Sequence, residues 1–330
     1  MYAPPRFMNY IWAALILLLV VEAVAEISGI GGPRSVYAGW IQNGLFAASA
    51  AVILARALYV PTDRAAWLAI GLATVSWLIG SVGWSLAYGG RANPPFPTFA
   101  DIFWLLWYPL MAFGLFRLIQ SRLQKFSWHR WMDGVAVMLV VLTAGVALII
   151  EPAADAGVQG PMASIIDFSY PVLDVIMIGA IIGVYGLLGW RPDRMWILLG
   201  SGIVLMAIAD SVYAVQEVGG VAGDTRYSFL WTTGAVLIAY AAWVRVPGVR
   251  NAPVEITGLR AVALPLIAQA LAIAIQFYAF FGAVPRGERL VTVAVLVVSS
   301  IQIILTRPRP HSTDSPVRPG KTEPDQKEST

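Results

Sequence analysis

Three carboxyl groups stand where hydrocarbon is expected. Asp174, Asp210 and Glu22 each fall inside a long apolar run, where an acidic side chain costs about 2.5–3.5 kcal/mol to insert. A carboxyl kept at that cost either hydrogen-bonds neighbouring helices, worth about 0.6 kcal/mol on average, or holds a ligand or cation in a polar cavity. No Lys or Arg lies at comparable depth in any apolar run. The acids must therefore be answered by Tyr, Trp, Ser, Asn, Gln, backbone or water, or else carry a proton. Tyr108, Tyr170, Tyr213 and Trp84 share the same half of the apolar runs and complete the candidate ligand-binding set. Trp77, Tyr88, Trp104, Trp107 and Trp231 sit at similar height, either as belt residues anchoring helix ends or as cavity lining.

Two further acids have a simpler reading. Thr98-Phe-Ala-Asp101 and Ser164-Ile-Ile-Asp167 each place a carboxyl three residues after a hydroxyl at the start of an apolar run. That is the capping-box pattern, in which the acid answers orphan amide groups. Tyr108-Pro109 and Tyr170-Pro171 lie further along the same two runs. A proline inside a helix removes one backbone hydrogen bond and kinks the axis, which shapes a pocket, makes a hinge or only aids packing. The stretch FPTFADIFWLLWYPLMAFGLFRLI is thus partly echoed by SIIDFSYPVLDVIMIGAIIGVYGLL, and Ile79-Gly-Ser-Val-Gly-Trp84 resembles Ile208-Ala-Asp-Ser-Val-Tyr213. Duplicated helical hairpins would produce such matches, and so would chance in apolar sequence.

The elements that position these residues follow from composition. The chain is 58% hydrophobic and 12% charged, against about 25% charged residues in an ordinary soluble domain. A membrane-spanning helix needs about 20 apolar residues. The runs at 10–28, 38–60, 65–88, 99–120, 131–150, 164–189, 194–218, 226–245, 258–282 and 288–306 meet that length. With a cytoplasmic N-terminus, all of the 22 Lys and Arg except Arg34, Arg91, Arg226, Arg286 and Arg289 fall inside, as the positive-inside rule requires. The expected fold is all-α: a polytopic membrane helical bundle of about ten transmembrane helices, N-in and C-in. The transmembrane domain occupies 1–306. Residues 307–330, rich in proline and poor in aliphatic residues, form a disordered cytoplasmic tail. Arg6, the first apolar run and Ala23-Val24-Ala25 also fit a cleavable signal peptide, against which stands the usual retention of a first helix as an anchor.

The composition excludes much chemistry. There is no cysteine, hence no disulfide, thiolate metal site, cysteine nucleophile or covalent haem attachment. His129 and His311 are the two histidines and lie outside the apolar runs. No metal site, cofactor or catalytic residue is expected. Walker, GxSxG, HExxH and dinucleotide patterns are not found, so the chain reads as a non-enzyme. The net charge of +3 follows membrane topology and does not indicate nucleic acid. The lipid bilayer is the expected partner, and oligomeric state is not readable.

FADIFWLLWYPLMAFGL, SYPVLDVIMIG, AIADSVYAV and TTGAVLIAYAAW together resemble the multi-span membrane input region of actinobacterial diguanylate cyclase and phosphodiesterase (GGDEF/EAL) proteins. The shared pattern falls on Ala100-Asp101, Tyr108-Pro109, Tyr170-Pro171 with Asp174, and Ala209-Asp210, clearest from about 75 to 245. In that family the membrane region feeds a cytoplasmic catalytic domain, whereas 24 tail residues without GGDEF or EAL follow the last run here. The resemblance implies a stand-alone sensory or regulatory module in a bacterial cytoplasmic membrane. It would bind an extracytoplasmic or membrane-soluble cue and signal through a cytoplasmic or membrane partner. Ten spans, kinked helices and buried acids also suit a small-solute or proton-coupled transporter. An enzyme acting on lipid is the third reading, and no catalytic constellation supports it.

Overall fold

Long apolar runs in a bilayer must satisfy every amide internally, and each run within the described residues does so as an α-helix. The structure, a computed structural model, describes residues 7–29, 36–89, 91, 94–122, 160–188, 190–218 and 227–244. The helices are α1 (Met8–Ile27), α2 (Val36–Tyr59), α3 (Arg64–Tyr88), α4 (Phe99–Arg122), α5 (Gly160–Leu187), α6 (Arg194–Val218) and α7 (Phe229–Trp243). Six contain a segment long and apolar enough to cross a membrane, and α7 is a shorter apolar helix of 15 residues. Outward-facing Ile16, Leu17, Val20, Val24, Leu58, Ile102 and Phe113 are exposed, a surface suited to lipid. Among the described residues the molecule is all-α, a membrane-embedded helical bundle. The runs expected at 131–150, 258–282 and 288–306, and the tail 307–330, lie outside the described residues.

Six helices close a ring in the order α2–α3–α4–α5–α6–α7, with α7 returning to α2, and α1 lies outside against α2 and α7. The end holding the start of α4 is called outer here, after the positive-inside reading. The ring is two three-helix units, α2–α3–α4 and α5–α6–α7, meeting at two seams. Across α4/α5, Asp101 meets Tyr170 and Tyr108 meets Asp174, so these helices run parallel. Across α2/α7, Leu45 packs near Val236, and Trp243 reaches Val52, so these also run parallel.

The core below the outer third is apolar and tightly filled by Trp67, Ile70, Met111, Leu115, Met177 and Leu199, among others. The inner end is closed by cations. Arg56, 7% exposed, donates from Nε to the Ala242 carbonyl (3.0 Å), from Nη1 to Val60 (2.9 Å) and from Nη2 to Thr62 (3.1 Å). It thereby answers orphan carbonyls at the C-terminal ends of both α2 and α7. Arg122 pairs with Asp63 at 2.5 Å, tying the end of α4 to the α2–α3 turn, where Asp63 takes a left-handed φ of 59°.

The start of α5 corrects one expectation. The helix begins at Gly160, so Ser164 and Asp167 lie inside it rather than at a cap. Pro161 occupies the first turn, where its missing N–H is not needed, and the apolar pattern obscured that earlier start. Pro109 and Pro171 both sit within continuous helices.

Candidate functional site

The carboxyls predicted at depth on α5 and α6 converge on one phenol of α4. The Tyr108 hydroxyl lies 2.8 Å from Asp174 Oδ1 and 3.2 Å from Asp210 Oδ2. Trp231 of α7 donates its indole Nε1–H to Asp210 Oδ1 at 2.8 Å. Four helices of the ring thus meet at a single junction. Tyr108 and Asp174 are buried, at 2% and 6% exposure, and Asp210 is partly buried. Asp174 Oδ2 is buried and no donor among the described residues reaches it. Tyr213 packs its ring on Trp231, centroids 6.2 Å apart.

A second polar step lies outward of this junction on the same seam. Asp101 Oδ2 accepts the Thr98 amide (2.7 Å) and the Thr98 hydroxyl (3.0 Å), the reach-back of a capping box. Its other oxygen accepts the Tyr170 hydroxyl at 2.8 Å. The cap expected from sequence is present, and it also bridges α4 to α5. The Tyr170 and Tyr108 rings stand edge to face, centroids 6.5 Å apart. Polar side chains therefore run from Thr98 at the outer end down to Asp174 and Asp210.

Glu22 does not join this group. It is fully buried between α1 and α7, where Glu22 Oε2 accepts the Thr232 hydroxyl at 2.5 Å. One turn outward, Glu26 Oε2 accepts the Phe229 amide at 2.8 Å, serving as a carboxylate cap for α7 supplied by another helix. These two acids dock α1 to the ring. Trp84 is half-buried on α3, and no hydrogen bond or ring contact among the described residues links it to the junction. Of the two roles open to these acids, the contacts seen are those of interhelical hydrogen bonding, with Tyr108 and Trp231 touching the carboxyls directly. A groove of about 390 Å³ lies further inward between α5 and α6, lined by Ile178, Ile181, Tyr185, Gly200 and Val204.

The weak repeat has a structural counterpart on one of its two matches. Ile79–Trp84 and Ile208–Tyr213 lie on α3 and α6, the middle helices of the two units. In the first, Trp104 donates its indole to Ser81 Oγ at 3.2 Å; in the second, Trp231 donates to Asp210, at the matching position. The other match, between the starts of α4 and α5, joins helices at different places in their units. Around Ser81 the unit is filled by rings, with Trp77 against Phe46, Trp104 and Trp107 at 6.0–6.2 Å. Around Asp210 it holds the carboxyl junction.

Trp231 is the junction residue that the sequence leaves among aromatics readable as either belt anchors or cavity lining. Its height beside the acids, and its N–H donor, were the available signal. Arg56, Glu26 and Thr232 were also not singled out. Comparison with known proteins finds no matching family model, curated protein or solved structure.

Proposed function

We propose that this chain is a non-catalytic sensory or regulatory membrane module whose cue is read at the Asp174–Tyr108–Asp210 junction and passed on as a shift of α4 against α5. The observation that carries this reading is the junction's position. It spans the α4/α5 seam, the sparsest neighbour contact in the ring, while the inner half beneath is filled by apolar core and locked by Arg56 and by Arg122–Asp63. A site with that floor suits a change of helix packing better than passage of a solute. The resemblance to cyclase and phosphodiesterase input regions agrees, with a cytoplasmic or membrane partner receiving the shift.

The same reading places the module in a bacterial cytoplasmic membrane with ten spans, N-in and C-in. Parallel α4 and α5 support that count, because an odd number of crossings must join the inner end of one to the outer end of the other. The apolar sequence 131–150, outside the described residues, has the length for one.

A proton-coupled transporter is the second reading, favoured by two acids that share one phenol without a basic partner among the described residues. The test is full-length protein in liposomes. A stability shift with a soluble or lipid-soluble cue, lost in Asp174→Asn, supports the sensor. Solute uptake driven by a proton gradient and lost in the same variant would replace it with the transporter.

A further inference from the structure

We infer that Asp174 and Asp210 hold one proton between them, so that the cue at this junction is the proton itself. This deepens the sensory reading and rests on it for its consequence, but not for its chemistry.

The argument is a donor count. A phenol has one hydroxyl hydrogen, yet the Tyr108 oxygen is within hydrogen-bond distance of a carboxyl oxygen of each aspartate. If Tyr108 donates to one, the other contact is a full two-centre hydrogen bond only if that carboxyl donates to the phenol oxygen, the alternative being one hydrogen split weakly between two carboxylates. Trp231 serves the far oxygen of Asp210 and has no second hydrogen to give. Asp174 Oδ2, buried with no donor among the described residues, is an acceptor left over.

Electrostatics point the same way. Two bare carboxylates side by side in a low-dielectric interior repel strongly, and paired carboxyls in such sites share a proton. Among the described residues, the groups facing the junction are Tyr108 and Asp101 from α4, Tyr170 from α5, Tyr213 from α6 and Trp231 from α7. None is a cation. A metal ion fits poorly: the indole aims a positive N–H at the pair, and three of the four carboxyl oxygens already have a partner. Loss of the proton would leave like charges on Asp174 of α5 and Asp210 of α6 with a single Tyr108 hydrogen to share, so that their repulsion loosens the hold of α5 on α4, while the proton's return would close it. The Asp101–Tyr170 step places a second carboxyl–phenol pair between the junction and the outer face.

The test is infrared difference spectroscopy on the full chain in nanodiscs, with ¹³C-labelled aspartate to separate these groups from Glu22 and Glu26. Wild type is expected to show one labelled protonated-carboxyl band that shifts in D₂O and disappears at alkaline pH. Asp174→Asn and Asp210→Asn should each remove it entirely. Tyr108→Phe should keep the band at a changed frequency, which guards against misfolding as the cause of loss. A wild-type band that each single variant only halves would mean two separate neutral acids and overturn the proposal. So would absence of the band, or its removal by sodium at constant pH, the latter pointing to a metal cation. A titrating band with no accompanying change in helix packing would keep the shared proton and remove the sensory reading.

Discussion

The two seams where the three-helix units meet are held by different chemistry. At α2/α7, Arg56 and the Trp243 indole donate to backbone carbonyls of Ala242 and Val52. At α4/α5, side chain meets side chain: Asp101 with Tyr170, and Tyr108 with Asp174. A backbone carbonyl cannot change charge and cannot leave its helix, and an arginine stays protonated at any working pH. Carboxyl–phenol contacts have neither restriction. One seam is therefore built as a fixed edge, and the other as an edge whose strength depends on what the carboxyls hold.

The variant expected to do most damage breaks the fixed edge. Arg56→Ala should lower stability by about 3 kcal/mol in denaturant unfolding, because it strands two buried carbonyls and a third that is partly buried. Nearly as large an effect is expected from giving the first unit the second unit's acid. Ser81→Asp should cost about 2.5 kcal/mol, since Trp104 is its indole donor and no phenol or carboxyl among the described residues is bonded to it; a neutral outcome would dissolve the contrast between the units. Tyr170→Phe should cost about 1 kcal/mol and act at the adjustable seam alone. Asp174→Asn should change stability by less than about 1 kcal/mol near neutral pH while abolishing the pH dependence of α4/α5 packing. The smallest change belongs to α1. Glu26→Gln keeps an acceptor for the Phe229 amide and should cost about 0.5 kcal/mol, with no effect at either seam.

Much of this was legible in the residues. The seven described helices coincide with seven of the apolar runs, because a spanning helix must be long, apolar and bounded by charge. Asp101 was readable as a cap from its spacing to Thr98, and Asp174, Asp210 and Tyr108 from the rarity of polar groups at depth. What the chain could not reveal is which deep acids meet. Glu22 and Asp210 look alike as letters, but only packing decides that Glu22 faces Thr232 while Asp210 shares Tyr108 with Asp174. Arg56 was legible as a basic inner-end residue, yet its hold on α7 spans 186 positions, which no local pattern encodes. The start of α5 was misplaced because Gly160-Pro-Met-Ala is apolar without being an obvious cap.

The chain contains no cysteine, so engineered cysteine pairs can carry spin labels without background. The decisive measurement compares Ile102→Cys/Ile176→Cys across α4/α5 with Leu58→Cys/Tyr240→Cys across α2/α7, all at exposed positions. Distances are read in nanodiscs as pH is raised. The shared-proton account predicts that the α4/α5 distance lengthens, that α2/α7 stays fixed, and that Asp174→Asn freezes both. Equal movement at the two seams, or an α4/α5 distance indifferent to pH in the wild type, would contradict it.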